Sequence, residues 1–206
     1  RSDLEHLLPT LFISSILLVY VIYIFGKNKF TKILFTALIL FMLSVPTYKK
    51  FELFNKSFVL QKIPRVNGIL LSPITAYELN TIHNFFKQNV SNDEKIFIGN
   101  TRHDLIYIND VMMYFVLNRP ISTKYHELSP GLATTKNTQL EIIRDLQNNK
   151  VKFVILRREE NPKPEKNLSS LSTGITILDD YLEINFNEVF STPNYIIKKA
   201  IDQKIQ

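Results

Sequence analysis

Between Gly99 and Thr135 the chain gathers its most versatile side chains. These are His103-Asp104, Asn109-Asp110, Arg119 and Tyr125-His126-Glu127, followed by the turn Ser129-Pro130-Gly131. A guanidinium grips phosphate oxygens through two parallel hydrogen bonds, and an imidazole adds a further donor. Arg119 and His126 therefore suit an anionic, phosphate-bearing ligand or a polar acceptor. Imidazole and carboxylate are also donors for zinc or manganese, and His103, Asp104, His126 and Glu127 make such a set for a divalent metal, although their spacing fixes no geometry. The same residue types have structural uses. Asp110 stands where it can cap a helix over VMMYF, and Arg119-Pro120 can close that helix and pair with a carboxylate. Two readings of His103, Asp104, Asn109, Arg119, Tyr125 and His126 thus stand side by side: a ligand-facing surface, or a set of caps and staples.

Several chemistries are excluded. The five glycines, Gly26, Gly68, Gly99, Gly131 and Gly174, are too dispersed for a dinucleotide fingerprint or a phosphate-binding loop. No G-x-S-x-G elbow supplies a nucleophilic serine, and the chain has no cysteine, which removes thiolate chemistry and disulfides. Asp179 and Asp180 are adjacent, so on a helix they diverge and make a poor carboxylate pair; the positive end of a helix suits them better. No catalytic residue is assigned.

The elements that must position these side chains follow from periodicity. Ser72-Pro73 marks a helix entry, with Thr75 and Glu78 spaced as a capping box and Leu79, Ile82, Phe86 and Val90 on one face. A second helical segment is expected over Asp110–Asn118 and a third after the box Thr138–Glu141, with Leu140, Ile143 and Leu146 inward. A short helix is expected around Leu178–Phe186. Strands are expected at Gly68–Leu71, Lys95–Gly99, Ile121–Lys124 and Val151–Leu156, with a hairpin of Glu188–Phe190 and Tyr195–Lys198. Helices alternating with continuous apolar strands predict a mainly parallel sheet covered on both faces. The expected class is therefore α/β: a small three-layer, Rossmann-like domain with a C-terminal edge hairpin. Ligands in such sheets lie beyond the carboxyl ends of the strands, where Gly99 and the residues after it fall.

Upstream, Leu7–Gly26 runs without a charge and Ile33–Tyr48 forms a second apolar run flanked by Lys32 and Lys49. A helix needs roughly 20 apolar residues to cross a bilayer. The expectation is a transmembrane hairpin over 1–48, with spans at about 7–26 and 30–48, a connector over 49–67 and a domain over 68–206. The protein is then integral to the membrane, with membrane lipids as partners. The alternative for the second run is a buried core helix. Residues 49 to 206 hold 21 Lys and Arg against 17 Asp and Glu, an excess of only +4 with no basic stripe, so nucleic acid is not an expected partner. Lys49, Lys50, Lys56, Lys62 and Arg65 do cluster, and anionic headgroups suit them. Because Arg1 opens the chain with no signal-peptide pattern after it, the chain is expected to be the tail of a longer protein.

The run from Ile96 to Leu156 also carries a pattern. His103-Asp104 is followed by Asn109-Asp110, then Y-F-x-L-x-R-P (Tyr114–Pro120), Y-H-E-L-x-P-G (Tyr125–Gly131) and T-x-x-x-Q (Thr135–Gln139). S-S-x-S-T-G (Ser169–Gly174) and L-D-D-Y (Leu178–Tyr181) come later. It resembles the C-terminal domain of multi-spanning dolichyl-phosphate-mannose protein mannosyltransferase-like membrane glycosyltransferases. The resemblance implies a role in transferring a sugar from a lipid-phosphate carrier, within a larger parent protein, by a domain facing away from the cytoplasm. It places catalysis on an acidic residue of a first extracytoplasmic loop that this chain does not contain. For this chain it implies that His103, Asp104, Asn109, Arg119, Tyr125 and His126 form a surface for the lipid-linked donor or the acceptor. A non-enzymatic, membrane-anchored binding or assembly domain is the alternative.

Overall fold

The computed structural model describes residues 4–25, 28–30, 33, 36–37, 40, 58–128, 131–159 and 170–201. The chain divides into two units, Arg1–Phe58 and Val59–Gln206. In the first, helix α1 spans Leu4–Phe25. Among the described residues no helix is long and apolar enough to cross a membrane, which overturns the expected transmembrane hairpin. Most of the second expected span, 30–48, lies outside the described residues.

The second unit is a mixed α/β domain. Strands β3 (Ile96–Asn100), β4 (Phe153–Arg157), β5 (Phe186–Ser191) and β6 (Tyr195–Ala200) form a sheet in the order β3-β4-β6-β5. Only β3 and β4 run parallel, with Ile96 opposite Phe153; β4–β6 and β5–β6 are antiparallel. The expected mainly parallel sheet is corrected accordingly. After β4 the chain passes through a helix over Ile177–Asn185 before the β5–β6 hairpin, whose second arm, not its first, pairs with β4. The hairpin expected from sequence is present and its first arm forms the sheet edge.

Helices cover both faces. On one side α2 (Pro73–Asn89) and α3 (Met112–Leu117) bring Ile82, Phe86 and Met113 onto Ile96, Ile98, Phe153, Ile155 and Ile197. On the other, α4 (Lys136–Asn148) and α5 (Ile177–Asn185) bring Ile142, Leu146, Leu178 and Leu182 onto Phe97, Val154 and Leu156. Neighbouring residues of β4 point to opposite faces, and both faces are buried, which is why the strand is apolar throughout. Each such side chain contributes roughly 1.5–3 kcal/mol on burial.

Both expected capping boxes are shifted. Ser72, not Thr75, caps α2 by accepting the Thr75 N–H, with Pro73 at the first helical position. Thr135 caps α4 by accepting the Thr138 N–H, starting that helix three residues earlier than expected. Glu78 and Glu141 are thereby free for other partners.

A separate two-stranded ribbon precedes α2. Strand β1 (Val59–Leu60) pairs antiparallel with β2 (Leu70–Leu71), so the Gly68–Leu71 segment joins a ribbon instead of the main sheet. A single turn of 3-10 helix, Pro64–Val66, lies in the connection, and Gly68 closes it at φ 87°, a left-handed conformation that suits glycine. Ile63 and Val66 pack on Val116, and the buried Gln61 side chain accepts from the Asn80 amide at 2.9 Å. These contacts hold the ribbon to α2 and α3.

Candidate functional site

The loop cluster is organised by the free edge of β3. The groups that β3 turns away from β4 belong to Ile96, Ile98 and Asn100, and an unpaired edge would leave them without partners. Ile96 bonds to the segment after Arg119: its N–H donates to the Pro120 carbonyl and its carbonyl accepts from Ser122 N–H, both at 3.1 Å. The expected strand Ile121–Lys124 is reduced to this one bridge, at Ile96 and Ile121. Beyond it, side chains take over. Ile98 N–H donates to the Tyr114 hydroxyl at 2.8 Å, and the Ile98 carbonyl accepts from the Asn109 amide at 2.7 Å. Burial pushes the Tyr114 phenol well above its ordinary value. Asn109 also donates to the His126 carbonyl at 3.0 Å and accepts from Leu128 N–H at 2.8 Å, pinning the next loop to the strand.

At the end of the edge, Asn100 N–H donates to His103 Nε2 at 3.3 Å. With Nε2 accepting, the ring proton sits on Nδ1 and is donated to Asp179 Oδ1 at 2.6 Å. Asp179 accepts from the His103 backbone N–H as well, at 3.0 Å. Both ring nitrogens are thus engaged, and the His103 side chain is fully buried. Gly99 allows this approach, because a Cβ there would stand 2.7 Å from both His103 Nε2 and the Phe97 ring. Asp104 is buried beside it, held by Arg102 at 3.0 and 2.5 Å and by the Ser172 hydroxyl. The Arg102 guanidinium, and then Ser172, keep its carboxyl below the usual range.

Arg119 serves a different part of the fold. One terminal nitrogen donates to the Leu117 and Asn118 carbonyls at 2.7 and 3.3 Å; the other donates to Phe86 and Val90 at 3.2 and 2.7 Å. It therefore satisfies the last carbonyls of α2 and α3 together, at the negative ends of both helices. Its Nε is buried with no hydrogen-bond partner among the described residues. Burial lowers its pKa from the ordinary arginine value, against the attraction of Glu94 and Asp93.

Tyr125 donates to Glu141, beside the exposed ion pair of Lys124 with the same carboxylate at 2.8 Å. His126 and Glu127 are exposed, and His126 Nδ1 lies 3.2 Å from the Lys124 carbonyl. The structure therefore brings Asn109 and His126 together through a backbone contact, joins His103 to Asp179, and sends Arg119 elsewhere. Among the described residues no three or more His, Asp or Glu side chains gather as metal ligands.

Three partners escaped the sequence reading. Gln139, fully buried, donates to the carbonyls of Ala133, Ile175 and His103 and accepts from Leu178 N–H. Glu78, also buried, accepts from the Thr192 hydroxyl and from the Asn194 backbone and side chain, tying α2 to the β5–β6 turn. Asp179 is the third. A signal existed for the first two: each is a polar residue standing in the apolar stripe of its helix, in line with Ile142 and Leu146 or with Ile82 and Phe86.

One cavity combines charge with an apolar floor. It measures about 290 Å³ and lies between the Ile63–Arg65 turn, the end of α2 and the end of α3. Ile63, Phe86, Val116 and Leu117 form its apolar lining, and Arg65, His83, Lys87 and Arg119 its basic one, with no carboxylate among the lining residues. Arg65 is steadied by stacking over Phe115 at 5.2 Å. A second cavity, of about 330 Å³, is lined by Asp179, Glu183 and Glu188 with Lys198, an arrangement unsuited to anions. No protein-family model matches the chain, and no curated protein is significantly similar to it.

Proposed function

We propose that this chain is a ligand-holding domain serving sugar transfer from a lipid-phosphate carrier, and that the cavity at Arg65, His83 and Lys87 takes the phosphate and the first prenyl units. The observation that carries this reading is the pairing of a carboxylate-free basic rim with an apolar floor. A prenyl phosphate presents the same two chemistries, one beside the other. At about 290 Å³ the cavity is at the small end of ligand sites. It has room for the head of a carrier and leaves the rest of the tail outside. Arg119 adds positive charge to the wall while its terminal nitrogens stay on helix carbonyls, so Arg65 and Lys87 supply the direct contacts. The resemblance to lipid-phosphosugar-dependent glycosyltransferases supports the same carrier class, and no catalytic step is assigned to a residue of this chain.

Farnesyl phosphate is a soluble probe of this site, with farnesol and inorganic phosphate as controls for its two halves. The phosphate ester should bind more tightly than either. Two charge-assisted contacts, at about 1.5–3 kcal/mol each, correspond to a weakening of roughly 10- to 100-fold per contact. Arg65→Gln and Lys87→Gln should each show it, with unchanged melting temperatures. Transfer from the lipid carrier, assayed in membranes of the source cells, should fall with them. Farnesyl phosphate that binds no better than farnesol, or equally well to both variants, would end this reading.

A further inference from the structure

The ribbon before α2 exposes apolar side chains that no packing explains. Val59, Leu60, Ile69 and Leu70 are 41, 55, 45 and 57% exposed. Ile74 and Tyr77 at the start of α2 are 49 and 60% exposed. The two strands cross-pair Val59 with Leu71 and Leu60 with Leu70, so side chains leave both faces of the ribbon: Leu60 and Leu70 are exposed on one, and on the other Val59 is exposed and Leu71 half-buried. A ribbon of two short strands is marginal by itself, and contiguous exposed apolar surface marks an interaction site. The local charge is one-sided. From Leu53 to Tyr77 the sequence carries Lys56, Lys62 and Arg65 and no carboxylate. Lys62 and Arg65 stand exposed in the turn that joins the two strands.

We infer that the β1–β2 ribbon is a membrane-surface contact that seats its exposed apolar side chains in the interface of an anionic bilayer, with Lys62 and Arg65, in the turn beside them, at headgroup level. Exposed apolar side chains beside cations match the two layers of such an interface, hydrocarbon below and phosphate above. A protein partner carrying an acidic rim would suit the same charges, but it would also have to cover apolar side chains that leave both faces of a two-residue ribbon. A bilayer interface receives them without a matched surface. Arg65 belongs both to this turn and to the cavity, so docking would place the cavity mouth among the headgroups, where a lipid phosphate is presented. That functional consequence rests on the reading proposed above; the docking itself does not.

The chain has no cysteine, which permits single reporters in the full chain. Leu60→Cys and Leu70→Cys, each carrying an environment-sensitive nitrobenzoxadiazole label, are compared with Asn148→Cys at the end of α4, on the opposite side of the sheet. With vesicles of phosphatidylcholine and phosphatidylglycerol, emission at 60 and 70 should rise and shift to the blue, and nitroxide-labelled lipid should quench it. The label at 148 should stay aqueous. Lys62→Glu should raise the phosphatidylglycerol fraction needed for half of the change at position 60. Labels at 60 and 70 that stay aqueous on vesicle-bound chain would overturn the inference. So would labels already dry without vesicles, which would point to cover by the chain's own residues or by a second copy. An equal response to pure phosphatidylcholine would overturn the role of the cations. Farnesyl phosphate binding, measured without vesicles, fails or succeeds independently of these outcomes.

Discussion

Replacing Arg119 with lysine separates a helix-capping arginine from a ligand-gripping one. The guanidinium makes four hydrogen bonds to carbonyls, two of them at 2.7 Å, and its residue is 8% exposed. An ammonium keeps the charge but presents three donors from one point, so it cannot reach the carbonyls ending α2 and those ending α3 together. The carbonyls ending at least one of the two helices then lose this donor, and water has little access to replace it. Hydrogen bonds to a charged group are worth about 1.5–3 kcal/mol each; with partial replacement by lysine, Arg119→Lys should cost roughly 2–4 kcal/mol. For a chain of this size that lowers the melting temperature by about 5–15 °C. Thermal unfolding followed by near-ultraviolet circular dichroism of the tyrosines reads this directly, with farnesyl phosphate binding measured well below the transition on the same sample. Binding should persist in the folded fraction, because Arg65 and Lys87 are untouched. A variant that melts like the parent yet no longer binds would refute the capping argument and return Arg119 to the ligand.

Gly99→Ala should destabilise the domain by about 1–3 kcal/mol, since the added methyl meets the His103 ring and Phe97 at 2.7 Å; an unchanged denaturation midpoint would refute the close approach. Phe153→Asp should abolish folding, because it buries an unpaired charge among Phe85, Phe86 and the sheet, and a normal melting transition would contradict its place in β4. Asp104 has a folded pKa below its unfolded one, through Arg102 first and Ser172 second. Its stabilisation is therefore complete above the unfolded value and is lost as pH falls through the folded one. Asp104→Asn should be less stable than the parent at pH 7, with the gap closing below about pH 4; a gap independent of pH would show that the pairing is not electrostatic.

Much of the scaffold is legible in the sequence because it is specified locally. The stripe of Ile82 and Phe86, the apolar runs of β3 and β4 and the Thr192-Pro193-Asn194 turn each carry their signal within a few residues, and the structure forms elements at all of them. The loops holding His103, Asn109 and Arg119 were placed in the same way, at the ends of strands and helices. Their partners were not. His103 meets Asp179 and Asp104 meets Ser172 across long stretches of chain, and Arg119 reaches back to Phe86 and Val90; no periodicity records a hydrogen bond between residues so far apart. The sheet edge shows the same limit. Ile121–Lys124 has the composition of a strand, yet after one bridge the edge is completed by Tyr114, Asn109 and His103, because those side chains reach the free groups of β3 first. The uncharged N-terminal run similarly announced apolar character without settling what helix it forms. Composition determined which residues are apolar and which are polar, and local spacing determined most of the elements. Whether a polar side chain closes the fold or faces a ligand depended on which unpaired backbone group folding brought within 3 Å of it, and that only the tertiary structure decided.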